Sequence, residues 1–159
     1  DFERLIGKGS YGKVYRALSK ADGSPVAIKV LPLEDGTDNI SQEIQRELSS
    51  LRQCEHPNVV RYHSSYIQDG QLWIAMECCM VSAQGVMRAC LEPLEEAEIA
   101  AVCAEALRGL HYLHSTRRLI HRDVKAGNIL LTERGEVKLA DFGVAAQMSS
   151  TLAKRSTVI

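Results

Sequence analysis

The residue pattern changes character near residue 80, and that change limits the folds open to the chain. Before it, short apolar runs alternate with turn residues; after it come one long helical period and a strand–turn–strand. Strands and helices segregated in this way point to an α+β fold. RLIGKGSYGKVYRAL reads as two strands around a glycine-rich turn, and SPVAIKVL as a third strand after Ala21-Asp22-Gly23. Ile40, Ile44, Leu48 and Leu51 recur at helical spacing, with Asp38 or Asn39 placed to cap the helix and His56-Pro57-Asn58 to end it. NVVRYHSSY and QLWIAME read as a strand pair joined through Gln68-Asp69-Gly70, whereas Met80 to Pro93 shows no period. In EEAEIAAVCAEALRGLHYLHS the residues Ile99, Val102, Cys103, Ala106, Leu107, Leu110 and Leu113 form one stripe. ILLTERGEVKLA predicts a hairpin turning at Gly135, and the tail from Met148 is polar and unpatterned. The expected division is 1–80, strands with one helix, and 81–159, mainly helical.

Gly7-Lys8-Gly9-Ser10-Tyr11-Gly12 carries the spacing GxGxxG, which fits two kinds of phosphate loop. The dinucleotide type opens a helix and needs an acidic residue about 20 positions on. Here KVYRAL after Gly12 is strand-like and Lys29 stands near that place, so a glycine-rich hairpin lying over phosphates fits better. In an extended VAIKV, Ala27 and Lys29 share one face, leaving room for a flat ring beside a cation that can reach phosphate oxygens. Burying Lys29 requires an anion. Glu47 and Glu43 are the candidates, with Glu47 closer to the Leu48/Leu51 stripe.

HRDVKAGNIL, residues 121–130, crowds His121, Arg122, Asp123, Lys125 and Asn128 before a strand. A hairpin made by ILLTERGEVKL would bring Asn128 next to Asp141. An amide and a carboxylate are hard oxygen ligands suited to Mg²⁺ shared with phosphates. Asp123 then falls near the same point and could accept a proton from an attacking hydroxyl, while Lys125 could neutralise a transferring phosphoryl group. His121 reads as structural, and His111 and His114, three apart without a third ligand, as helix-end packing.

Bulk properties exclude several classes. The net charge of −1 argues against nucleic acid or an anionic membrane as obligate partner. The five cysteines, Cys54, Cys78, Cys79, Cys90 and Cys103, form no CxxC pair; Cys78 and Cys79 beside LWIAM read as small semi-buried thiols, and the compartment as reducing. DFERLIG lacks the regions of a signal peptide, and no apolar run approaches the ~18 residues of a membrane span. The expectation is a soluble cytoplasmic chain.

GKGSYGKV, VAIK, HRDVKAGN and DFG occur in the order and at the separations of eukaryotic protein kinases, which the chain resembles along its whole length. HRDVKAGNILL, KLADFGVAAQ and AKRSTVI resemble the sterile-twenty-like Ser/Thr kinases, especially the Hippo-type branch. The resemblance implies a bilobal protein-kinase-like fold: a small antiparallel β lobe with one helix and the hinge over 1–80, and a truncated, mainly helical lobe over 81–159. It implies ATP and Mg²⁺ as cofactors, protein substrates with Ser or Thr, and activation by an upstream kinase or a second copy. Gly7, Gly9 and Gly12 then cover the nucleotide phosphates, with Ile6, Lys8, Ser10 and Tyr11 completing the loop. Val14, Ala27 and Leu130 sandwich adenine, Met76 is the gatekeeper, and Glu77 and Cys79 offer hinge backbone. Lys29 holds the α- and β-phosphates and pairs with Glu47. Asp123 is the catalytic base and Lys125 assists at the γ-phosphate; Asn128 and Asp141 bind Mg²⁺. Leu51, Tyr62, His121 and Phe142 match a packed spine, Phe142 and Gly143 belong to the DFG switch, and Thr157 matches an activating phosphorylation site that pairs with Arg122.

The family's catalytic domain continues beyond the position of Ile159, so residues 1–159 alone are expected to be poorly stable and nearly inactive. Two other functions compete. A non-catalytic kinase-like binding module is disfavoured because Lys29, Asp123, Asn128 and Asp141 are all present. A dinucleotide enzyme is disfavoured by Lys29.

Overall fold

In the computed structural model, residues 2–9, 12–33 and 42–141 are described, apart from the side chains of 2, 9, 42–44 and 47. They fall into two units, one drawn from 2–53 and 61–78, the other from 54–60 and 79–141.

The first unit is built on five antiparallel strands: β1 (Phe2–Gly9), β2 (Gly12–Leu18), β3 (Pro25–Pro32), β4 (Tyr62–Gln68) and β5 (Gln71–Glu77). Their order across the sheet is β1-β2-β3-β5-β4. Local chemistry fixes both described hairpin turns. Between β2 and β3, Asp22 Oδ1 accepts from the N–H and hydroxyl of Ser24 at 3.1 and 2.8 Å, a side-chain mimic of a backbone turn. Between β4 and β5, Asp69 and Gly70 both take positive φ (52° and 65°), the two-residue Asp-Gly turn whose twist matches antiparallel strands. Of the expected stripe on helix α1 (Gln42–Arg52), Leu48 is buried and Leu51 half-buried, while Ile40 and the Ile44 side chain lie outside the described residues. The expected cap at Asp38 or Asn39 lies outside the described residues.

The second unit contains β6 (Val81–Ser82), α2 (Ala83–Cys90), α3 (Glu96–His111), a π-helical turn over Tyr112–Thr116, a 3-10 turn over Ala126–Asn128, β7 (Ile129–Leu131) and β8 (Val137–Leu139). Helix α2 corrects the sequence reading, which found no period there. Ser82 explains its start: the side-chain oxygen accepts the Gly85 N–H at 3.0 Å, a helix N-cap. Glu98 reaches back to the Glu95 N–H at 2.8 Å to secure the start of α3. The stripe of α3 is narrower than its periodicity predicts. Ala106, Gly109 and Leu113 are buried, but Ile99, Cys103 and Leu107 are exposed. His111 and His114 are exposed too, so they do not pack at the helix end as expected.

A second correction concerns Asn58–Val60, read from sequence as the start of a strand continuing to Tyr66. They lie instead along β8: the Leu139 N–H donates to Asn58 C=O and the Val60 N–H to Leu139 C=O, both at 2.9 Å. Val59 thereby forms a parallel bridge to Leu139. Segment 54–60 therefore belongs with residues after 79, although the sequence division kept it in 1–80. His56 stacking on Tyr112, with centroids 4.8 Å apart, holds the same segment against the end of α3. The Tyr112 hydroxyl also accepts from the Glu55 N–H at 2.9 Å.

Candidate active site

In the first unit, strand register brings most expected nucleotide residues to one face. Val14 stands opposite Lys29, and Arg16 and Met76 flank Ala27 across the ladders. Directly opposed residues share a face, as do residues two apart, so Val14, Ala27, Lys29 and Met76 line one side. Ala27 (6% exposed) and Lys29 (8%) are both buried, as the alternation in VAIKV predicts. The Glu47 side chain lies outside the described residues. Gly7 stands opposite Val14 on β1, near Ile6 and Lys8, which are exposed. Gly12 has a packing reason of its own: with φ at 154°, a Cβ there would lie 2.2 Å from the Val30 carbonyl oxygen. The loop's third glycine is thus required by strand contact, whatever lies above it. Ser10 and Tyr11 fall outside the described residues. Glu77 ends β5; its N–H donates to Arg61 C=O at 2.8 Å and its Oε2 accepts the Arg61 N–H at 3.2 Å. Cys79 is partly buried in the segment that follows.

In the second unit, the β7–β8 hairpin organises the charged loop. Ile129 stands opposite Leu139 and Leu131 opposite Val137. One step beyond, the Ala140 N–H donates to Asn128 C=O at 2.9 Å. The ladder therefore runs to Asn128, and Asp141 is the residue after its last bond. Two residues 13 positions apart are held at one end of a hairpin, as the sequence pattern predicts. Leu130 sits in β7, partly buried.

Asn128 is buried, and its Nδ2 donates to the Asp123 carbonyl oxygen at 2.8 Å and to Asp123 Oδ2 at 2.9 Å. With both amide hydrogens directed there, Oδ1 is the group left to offer a cation. Lys125 Nζ reaches the same Asp123 Oδ2 at 2.7 Å. This hydrogen bond is the largest cause holding the Asp123 carboxyl below its usual range; burial opposes it and the Asn128 amide adds to it. Asp123 is thus an ionised, acceptor-only group, fixed in direction by two donors.

His121 is 1% exposed, and its Nδ1 accepts the Asp123 N–H at 3.3 Å. Burial lowers its pKa, against a backbone hydrogen bond with Ala140 and the charges of Asp123 and Asp141. A neutral ring bracing the Asp123 backbone agrees with the structural role read from sequence. Arg122 and Asp141 both adopt left-handed backbone (φ 67° and 58°), uncommon for residues with a Cβ. Phe142, Gly143 and Thr157 lie outside the described residues.

The donor set tests the metal expectation. Among the described residues no group of three or more His, Cys, Asp or Glu could enclose a metal ion. One amide oxygen and one carboxylate make an open, hard pair, which fits an ion that keeps waters and takes phosphate oxygens, as Mg²⁺ does.

Sequence reasoning missed two residues behind this loop, Asn58 and Glu105. The signal for Glu105 was a carboxylate flanked by Val102, Ala106 and Gly109 on the buried side of α3. Asn58 carries no comparable signal, because its partners come from far along the chain.

An antiparallel five-stranded sheet with a buried strand lysine, and a loop–hairpin presenting Asp, Lys, Asn and Asp, define a protein kinase domain. The chain belongs to that family, whose pattern it matches over residues 1–159. Among its relatives are Serine/threonine-protein kinase dst1 of Dictyostelium discoideum, 48% identical over 157 residues, and Serine/threonine-protein kinase 1 of Arabidopsis thaliana, 52% identical over 160 residues. Those matches cover 99% and 100% of this chain but 21% and 19% of the relatives, so the chain spans about a fifth of their length. Among the described residues no helix is long and apolar enough to cross a membrane.

Proposed function

We propose that the chain is the catalytic part of an ATP-dependent protein serine/threonine kinase, of the sterile-twenty-like group and its Hippo-type branch, acting in a signalling cascade. One observation carries the reading. Asp123 Oδ2 is held at once by Lys125 Nζ and Asn128 Nδ2, at the start of the hairpin that ends in Asp141. A structural turn has no need of an ionised carboxylate fixed by two donors beside a second carboxylate.

The roles divide by unit. From the first, Ala27, Val14 and Met76 offer an apolar face to a purine, and Lys29 offers a cation to the α- and β-phosphates, with Glu47 its partner. Gly7, Gly9 and Gly12, with Ile6, Lys8, Ser10 and Tyr11, form the cover over the phosphates, and Glu77 and Cys79 the hinge. From the second, Leu130 is assigned to the purine, and Asn128 and Asp141 to Mg²⁺. Bound there, the ion neutralises phosphate charge as it is transferred.

Asp123 accepts a hydrogen bond from the Ser or Thr hydroxyl of a protein substrate and aims its lone pair. A carboxylate is a weak base, so its work is orientation, with proton uptake as the hydroxyl oxygen bonds the γ-phosphorus and the bond from that phosphorus to the ADP oxygen breaks. Lys125 leaves Asp123 for the γ-phosphate, a move of one flexible side chain. His121, held neutral, braces the loop backbone. Arg122 is the proposed partner of a phosphate on Thr157, added by an upstream kinase or a second copy, and Phe142 and Gly143 are assigned with Asp141 to the DFG switch. No nucleic acid takes part.

Replacing Asp123 tests this directly. In the intact protein, Asp123→Asn should lower turnover on a Ser/Thr peptide by about 10²–10⁴-fold, the usual contribution of a positioned acid–base group. ATP affinity should stay within a few-fold of the unsubstituted protein. Normal turnover with lost nucleotide affinity would overturn the assignment. Unchanged turnover would remove Asp123 from the chemistry, and no turnover in the unsubstituted protein would favour a binding module instead.

A further inference from the structure

We propose that Glu105 is a positioning residue for the metal-holding hairpin, acting with Asn58 through the register of β8. The inference rests on the reading of Asn128 and Asp141 as the Mg²⁺ ligands.

Strands β7 and β8 are three residues each, too short to define their own register firmly. A slip of one residue turns Val137 and Leu139 from one face to the other and separates Ala140 from Asn128. Something outside the hairpin has to hold Val137. Glu105 Oε2 accepts the Val137 N–H at 3.0 Å, and Asn58 Nδ2 donates to the Val137 carbonyl at 2.9 Å. The same Asn58 Nδ2 donates to Glu105 Oε2 at 3.1 Å, closing a ring of three hydrogen bonds. Both backbone groups of one strand residue are thereby met by side chains that meet each other. Asn58 is 6% exposed and Val137 3%, so the ring is shielded and a slipped strand would leave buried polar groups unpaired.

Helix α3 can deliver this carboxylate because Gly109 lies one turn further along the same face. A Cβ at Gly109 would come within 2.6 Å of the Asn58 carbonyl oxygen and 2.9 Å of Leu139 Cδ1. The helix therefore lies against segment 54–60 and β8 at a distance open only to glycine.

Among the described residues Glu105 meets Asn58 and Val137 and touches no candidate reacting group. From Val137 to Asp141 the strand runs four residues, on the order of 13 Å at 3.3 Å per residue. Its influence reaches the ligand pair as register: with Val137 fixed, Ala140 meets Asn128 and Asp141 follows in place. Supporting residues of this kind typically change metal affinity by about 10–100-fold when lost.

The test uses Mn²⁺ in place of Mg²⁺ with ADP on the intact protein, bound metal being read by electron paramagnetic resonance. Glu105→Ala should raise the Mn²⁺ midpoint by about ten-fold or more. Amide exchange at Val137 and Leu139 should speed up, with ADP affinity in chelator unchanged. Glu105→Gln keeps an acceptor oxygen in place and should keep the midpoint within about two-fold. A merely structural role would lower the thermal midpoint and the active fraction without moving the Mn²⁺ midpoint, and that result overturns the inference. Should Glu105→Ala not fold, Glu105→Asp, one methylene short of Val137, decides the matter: a raised midpoint supports positioning, an unchanged one refutes it. Asn128→Ala and Asp141→Ala separate the two levels. If they abolish Mn²⁺ binding while Glu105 variants bind normally, positioning alone fails. If they leave binding intact, the metal reading fails and this inference with it.

Discussion

Gly109 shows how much one missing methyl can decide. Its neighbours are a backbone carbonyl and a buried leucine, neither free to retreat: the Asn58 C=O is bonded to the Leu139 N–H, and Leu139 is 0% exposed. Gly109→Ala should therefore destabilise the protein by about 1–3 kcal/mol despite the better helix propensity of alanine, the range for overpacking a closed core. A urea midpoint that rises would show that α3 can shift outward at little cost. The same scale separates what a sequence displays from what it hides. Lys29, Asp123, Lys125, Asn128 and Asp141 were legible because rare residue types stand in a fixed order beside apolar strands. Gly109 was not, since a helix glycine shows nothing of the carbonyl it faces. Nor does the sequence show that Arg122 and Asp141 take left-handed backbone, a cost on the order of 1–2 kcal/mol each that their surroundings must offset.

At the scale of elements, one local device occurs twice. In His56-Pro57-Asn58 and in His121-Arg122-Asp123, the histidine Nδ1 accepts the backbone N–H two residues on, at 3.1 and 3.3 Å. Each ring braces a segment whose third residue matters: Asn58 grips β8, and Asp123 is the proposed base. Burial is the leading cause lowering both pKa values below the ordinary histidine value of 6.5; the Lys138 charge adds to it at His56. Each histidine thus binds its proton less readily in the folded chain than in the unfolded one. Their contribution to stability is complete above about pH 6.5 and declines as pH falls through that value toward the folded pKa values. The thermal midpoint should drop between about pH 7.5 and pH 5.5, a window above the ordinary carboxylate range, and a flat profile would remove the account. The long strands, α1 and α3 were readable from period and turn chemistry. Helix α2 was not, because eight residues that include Gln84 and Gly85 give too little period, and its defining signal is the cap at Ser82.

For the whole molecule, what sequence order conceals is the allegiance of residues 54–60. Strand-like composition made them look like the start of β4, since Val59 and Val60 suit a sheet. Yet their hydrogen-bond partners, Val137 and Leu139, lie about 80 residues on, and no local pattern can name a partner at that distance. The consequence is that the second unit cannot be cut out as one continuous stretch. A polypeptide starting at Cys79 loses four hydrogen bonds to β8: Leu139 N–H to Asn58, Val60 N–H to Leu139, the Asn58 amide to Val137, and Lys138 Nζ to the Pro57 carbonyl. It also uncovers the partners of Val59 and Val60, 2% and 6% exposed. At about 1 kcal/mol per hydrogen bond and about 1.5–3 kcal/mol per buried valine, the loss is on the order of 7–10 kcal/mol. That is comparable to the whole stability of an ordinary domain, about 5–15 kcal/mol. Such a polypeptide should show no cooperative urea transition by circular dichroism. Joining 54–60 to its N-terminus through a flexible Gly/Ser linker should restore one, because the linker adds only a small closure entropy. A fragment from Cys79 that unfolds as cooperatively as its extended version would show that the edge of β8 stands without them.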